Sequence, residues 1–156
     1  MFTIARLQRS GLNSYKIHYE KFMETGVLHA TGETSTSPAI WYASKYAVNE
    51  AEEVLVKFAL KPGTMEKLLD IGIASEAGTK QLFSKLPMTP SGKAKWGENH
   101  ARIKFEQYQV TTALGSQNGK AVKIFSENIV QHEPTPLNFD GLIHKANAHK
   151  FKMHED

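Results

Sequence analysis

The spacing of apolar residues divides the chain into extended runs separated by a few helical ones. Phe2, Ile4 and Arg6 alternate with Thr3, Ala5 and Leu7, which predicts a first strand ended by Ser10-Gly11. Between Ser14 and Leu28 the apolar positions mix a period of two with one of three to four. This predicts a strand near Tyr15 to Tyr19, then a helical turn over Lys21 to Thr25 closed by Gly26. Extended character resumes at Gly26 to Ala30 and runs into a polar, Thr-rich segment ending at Ser37. Beyond Pro38, Ile40, Ala43, Ala47, Val48 and Ala51 recur at spacings of three and four, which predicts an amphipathic helix to about Glu52. Val54 to Leu60 is nearly continuous in apolar residues. It reads as a strand covered on both faces and central in its sheet, stopped by Lys61-Pro62-Gly63.

In the second half, Thr64 caps a short helix, Met65 to about Ile71, with Gly72 in the C′ position. Residues 74–99 have little regular pattern and are expected to form a long connection, with Trp96 as an anchor to the core or a stacking surface. From His100 to Leu114 alternation returns. Ile103, Phe105 and Gln107 fall on one side, Lys104, Glu106 and Tyr108 on the other, as in one long strand or two strands around a bulge near Gln107 to Gln109. Gly115 to Gly119 make a turn, and Ala121, Val122, Ile124, Phe125 and Ile129 mark a helix of about ten residues. From Gln131 onward, Pro134, Pro136 and four of the seven histidines suggest a peripheral tail. The resulting expectation is a single α+β domain over residues 1–130, a mixed or split β-sheet with flanking helices, followed by a tail over 131–156.

Composition narrows this further. With 156 residues and 40% hydrophobic content, one domain with a core is accommodated and two are not. The absence of cysteine excludes disulfides, thiolate metal sites and cysteine nucleophiles. No apolar run is long enough to cross a bilayer, and Met1 to Arg6 lack the zones of a signal peptide. The expected product is soluble, either cytoplasmic or exported as an effector, with no membrane insertion. The net charge is +3, concentrated in Lys80, Lys85, Lys93, Lys95, Arg102 and Lys104 against the single acid Glu98. Such a stretch is either a solvated loop or a surface for phosphates. There is no Walker or Rossmann glycine loop, no HExxH and no GxSxG. His144, His149 and His154 are spaced by five and share no helical face, so no metal site is expected.

What remains is an ordered set of polar residues. Arg6 ends the first strand as either an edge residue or an anion clamp. Ser35-Thr36-Ser37 precedes a helix for which Ser37 is a natural N-cap and Pro38 a natural first residue. Glu106 lies on a late strand. This order resembles the R-S-E class of mono-ADP-ribosyltransferases, the bacterial toxin and effector group, over roughly residues 1–115. The resemblance implies an ADP-ribosyltransferase-like fold and NAD as the consumed substrate, with no metal. It implies Glu106 as the carboxylate that stabilises an oxocarbenium-like ribose and Arg6 as a clamp on the pyrophosphate or ribose. Ser35, with Thr36 and Ser37 beside it, would line the NAD site. It also implies a macromolecular acceptor and an immunity protein as partners. Where the family usually has Glu or Gln two residues before the catalytic Glu, this chain has Lys104, so acceptor preference does not carry over.

Two other readings are open on the same residues. A metal-independent ribonuclease toxin domain needs an acid/base pair with cations and hydroxyls, for which His29, His100, Lys104, Tyr108 and Thr111 are candidates, with nucleic acid as the partner. A protein-binding module without catalysis would use the polar strands for recognition alone.

Overall fold

Seven strands form one mixed sheet in the order β4-β5-β6-β2-β1-β3-β7, in which every neighbouring pair is antiparallel except β4 and β5. The computed structural model describes residues 2–6, 15–30, 34–43, 54–88 and 96–136. In chain order the elements are β1 (Phe2–Arg6), α1 (Tyr15–Thr25), β2 (Ser35–Ser37), α2 (Ile40–Ala43), β3 (Val54–Leu60), α3 (Thr64–Asp70), β4 (Gly72–Ala74) and α4 (Ala77–Leu82). A 3-10 turn (Trp96–Glu98), β5 (Ala101–Glu106), β6 (Gln109–Ala113), α5 (Lys120–Glu127) and β7 (Ile129–Pro136) follow. This is the expected α+β architecture, a mixed sheet with flanking helices.

One row of residues can be followed across the whole sheet: Pro134, Val56, Ala5, Thr36, Thr112, Ile103 and Ala74 stand opposite one another in turn. Residues paired across strands share a face, and faces alternate along each strand. The row therefore defines the core face, carrying Val56, Phe58, Leu60, Ala101 and Ile103, all buried. Helices α1, α3 and α5 supply the other half of the core through Tyr19, Phe22, Leu68, Ala121, Val122 and Phe125. Phe58 meets Phe22 and Phe125 edge-on at centroid distances of 5.4 and 5.3 Å, a geometry that aromatic quadrupoles favour.

Several expectations change. Residues 15–19, expected as a strand, are the first half of α1. Tyr19 and Phe22, three apart, place their rings in the core, and the helix continues to Gly26, whose φ of 75° ends it as expected. Segment 74–99 is not patternless where it is described. Its first part is a parallel crossover in which α4 connects β4 to β5, and Met88 forms an isolated bridge with Ala74. Strand β4 begins with a glycine and has only three residues, too few for alternation to register. Lys80, counted in the basic stretch, has its ammonium bound to the carbonyls of Ser84 and Leu86 at 2.6 and 2.5 Å. Strand β3 has partners on both sides but is next to the edge, and the sheet's middle strand is β2.

The sheet also extends past the boundary drawn at residue 130. Residues 131–136 pair with β3 as most of β7. Pro134 and Pro136 are compatible with this because β7 is an edge strand, where a missing N–H need not interrupt a ladder. Of the helix expected over 40–52, Ile40–Ala43 are observed as α2. The remainder, like Lys93, Lys95 and the tail histidines His144, His149 and His154, lies outside the described residues.

Candidate functional site

The face opposite the core is polar on three adjacent strands. Strand β5 contributes Arg102, Lys104 and Glu106, β6 contributes Gln109 and Thr111, and β2 contributes Ser35 and Ser37. Alternation along β5 separates these groups from Ala101 and Ile103, which are fully buried on the core face.

A hydrogen-bonded amide holds the patch together. Ser37 Oγ accepts from the Ala39 N–H at 3.1 Å, closing the turn that leads into α2, and donates to Gln109 Oε1 at 2.7 Å. Gln109 Nε2 in turn donates to the Glu106 carbonyl at 2.9 Å and to Thr111 Oγ1 at 2.8 Å. Ser37, Gln109 and Thr111 are buried, so the centre of the patch is covered, while Ser35, Arg102, Lys104 and Glu106 are half-buried at its rim. Burial pushes the Arg102 guanidinium below its ordinary value, an effect opposed by the Glu106 carboxylate. The same guanidinium lies over the Trp96 ring at 5.2 Å, which gives Trp96 an internal stacking partner.

The strand register locates the sequence-derived residues relative to one another. Ile4 stands opposite Ser37 and Ala5 opposite Thr36, so the end of β1 that holds Arg6 and the start of β2 that holds Ser35 lie at the same end of the sheet, with Arg6 opposite Leu55 of β3. Ser35 stands opposite Ala113, which stands opposite Arg102. Glu106 is four residues further along β5. At roughly 3.4 Å per residue and 4.8 Å per strand, it lies about 16 Å from Ser35 between Cα positions. Ser35 thus stands at one end of the polar face, the end where β1 finishes at Arg6, and Glu106 stands at the other. Ser37 is the hydroxyl nearer to Glu106, joined to it through Gln109. Thr36 belongs to the core face: its hydroxyl donates to the Thr112 carbonyl at 3.0 Å, and it borders an apolar cavity of about 210 Å³ with Pro38, Leu60, Met65 and Phe125 among the lining residues.

The residues of the ribonuclease reading are also distributed. Lys104 stands directly opposite Thr111 on the polar face. His29 lies on a loop pinned to the start and end of α5, where the Ala30 N–H donates to Gln117 and the Leu28 N–H to Ser126. His100 precedes β5, with Nδ1 3.2 Å from the Ile71 carbonyl. Gln109 was not singled out by sequence. Its one signal was its place in the alternation with Thr111, but a buried amide cannot be told from a solvated one without knowing what covers the strand.

The family model of the PT3 toxin domain matches residues 14–134, more than three quarters of the chain. The chain belongs to the PT3 toxin domain family. The match begins after β1 and runs through the polar strands into β7, so Ser35, Ser37, Glu106 and Gln109 all lie within the toxin domain, whereas Arg6 precedes it. No curated protein matches the chain. Among the described residues no helix of the toxin domain is long and apolar enough to cross a membrane, and no cluster of three or more His, Asp or Glu could hold a metal ion.

Proposed function

We propose that this toxin domain cleaves NAD and transfers ADP-ribose to a macromolecular acceptor, with substrate bound along the polar face of β2, β6 and β5. The observation that carries the reading is the shared face. Ser37 of β2 and the backbone carbonyl of Glu106 in β5 are joined by the Gln109 amide, and Ser35 and the Glu106 side chain stand on the same face. Their separation assigns the roles differently from the family pattern. The nicotinamide ribose, with the pyrophosphate bonded to its 5′ carbon, is assigned to Glu106 and the adenosine half to the Arg6 and Ser35 end, because a dinucleotide is extended enough to span the distance between them.

In this scheme the carboxylate of Glu106 accepts a hydrogen bond from a ribose hydroxyl and stabilises positive charge as the bond between ribose and nicotinamide breaks. The bonding pair leaves with nicotinamide, which departs neutral. A nucleophile of the acceptor then bonds to the ribose carbon and releases its proton to solvent. Nicotinamide release from NAD measures the step. Glu106→Gln is expected to lower turnover about 100-fold or more while NAD affinity persists, since the carboxylate acts on the transition state. No release by the wild-type domain, or equal release by Glu106→Gln, would reject the reading.

The pairing of Lys104 with Thr111, beside Arg102, favours a second reading, a metal-independent ribonuclease toxin. RNA cleavage without cofactor that survives Glu106→Gln but not Lys104→Ala would decide for it.

A further inference from the structure

The hairpin between β5 and β6 has a two-residue turn, Gln107-Tyr108, closed by the pairing of Glu106 with Gln109. Both turn residues have positive φ, 50° and 63°. A turn of this hand favours Asn-Gly or Asp-Gly, because a side chain in the left-handed region crowds its own backbone. Tyrosine is a costly residue there for the fold, and its ring is not used for packing: Tyr108 is 94% exposed. The positive φ values belong to the hairpin turn itself, but a tyrosine there adds nothing to the turn or to internal packing, which points to an external contact for its ring. Tyr108 lies two residues after Glu106 at the end of the polar face, and half-buried Lys104 is the residue before Glu106 on that face of β5.

We infer that Tyr108 is a stacking platform for a nucleobase of the substrate that binds the polar face. An exposed, planar phenol at the tip of a two-residue hairpin suits the face of a heterocycle, and the cation further back on the same face suits the phosphate attached to it. The inference rests on the assignment of that face as the substrate site. It adds which part of the substrate is held and by which residue. The base could come from NAD or from RNA, whose stacking chemistry is shared.

The test is calorimetric titration of the wild-type domain, Tyr108→Gly and Tyr108→Phe with NAD, with nicotinamide mononucleotide and with a short single-stranded RNA. Thermal midpoints of the free proteins are measured alongside. Removing the ring is expected to weaken binding of the base-bearing probe roughly 5- to 150-fold, while Tyr108→Phe binds as the wild type does. Tyr108→Gly should at the same time melt higher, because glycine relieves the positive φ; a residue kept only for folding would not move the two measurements in opposite directions. Weakened binding of both NAD and the mononucleotide is expected, because Glu106 beside the ring is assigned the nicotinamide ribose; weakened NAD binding with unchanged mononucleotide binding keeps the platform but seats adenine on it and rejects that assignment. Weakened RNA binding with no NAD binding retains the platform and rejects the NAD reading. Equal affinities of Tyr108→Gly and the wild type, or no binding of either NAD or RNA to the wild type, overturns the inference. Nicotinamide release sensitive to Glu106→Gln but with unchanged Tyr108→Gly affinity keeps the NAD reading and rejects the platform.

Discussion

Ser37 and Gln109, 72 positions apart in the chain, are joined side chain to side chain at 2.7 Å, and this contact binds the middle strand of the sheet to the β5-β6 hairpin. Gln109 is 4% exposed and satisfies Ser37, Thr111 and the Glu106 carbonyl at once. Gln109→Ala removes one hydrogen bond from each of these groups. It is expected to lower stability by about 1–3 kcal/mol, read as a reduced urea midpoint at an unchanged slope. In the proposed reaction it should also lower nicotinamide release more than NAD affinity, because Glu106 loses the amide that holds its backbone.

Three glycines make a second long-range joint, between the 3-10 turn and the loop before α5. A Cβ on Gly115 would lie 2.4 Å from Gly97 Cα and 2.6 Å from Gly97 O, and the φ of Gly115 is 79°. Gly115→Ala is therefore expected to destabilise the domain by about 2–4 kcal/mol, from crowding and a left-handed backbone together. Gly78 in α4 is the contrasting position, where an added Cβ would meet nothing within 4 Å. Gly78→Ala should raise stability by about 0.5–1 kcal/mol. Thermal midpoints of the two variants should move in opposite directions.

Lys80 is expected to behave as a structural residue. Its ammonium holds two carbonyls of the segment that follows α4. Lys80→Ala should cost about 1–2 kcal/mol and speed hydrogen exchange selectively at residues 83–88.

Stability should also depend on pH through His29. Burial, and then the charge of Lys21, lower its pKa below the ordinary 6.5. The unfolded chain therefore takes up a proton before the folded one does, so stability falls as pH drops from 6.5 toward the lowered folded value, and the contribution is fully present above 6.5. Urea midpoints of the wild type and His29→Gln, measured on both sides of this window, should show the smaller decline in the variant.

Local periodicity carried a large part of the fold. The alternation of β1, β5 and β6 and the three-to-four spacing around α5 arise within a few residues, so they were readable directly. The same is true of Gly26 as a helix end and of the hydroxyl run leading into α2. The errors have local causes too. Tyr15 to Thr25 carries a mixed pattern that only the packing of Tyr19 and Phe22 resolves into one helix, and β4 is too short to show a period. Prolines 134 and 136 suggested a tail because an edge position, which tolerates them, is a property of the sheet rather than of the segment.

The sequence alone determined which residue types stand on alternate sides of each strand, and hence that Ser35 and Ser37 face together while Thr36 faces away. It also placed Lys104 and Glu106 on one side of β5. Tertiary structure decided the registers: that Ser35 stands in one row with Ala113 and Arg102, that Glu106 stands four positions from Arg102, and that Gln109 joins Ser37 to the β5-β6 hairpin. Alternation comes from the pleat of a single strand. Register is chosen by the packing of whole faces across dozens of intervening residues, which no local pattern records.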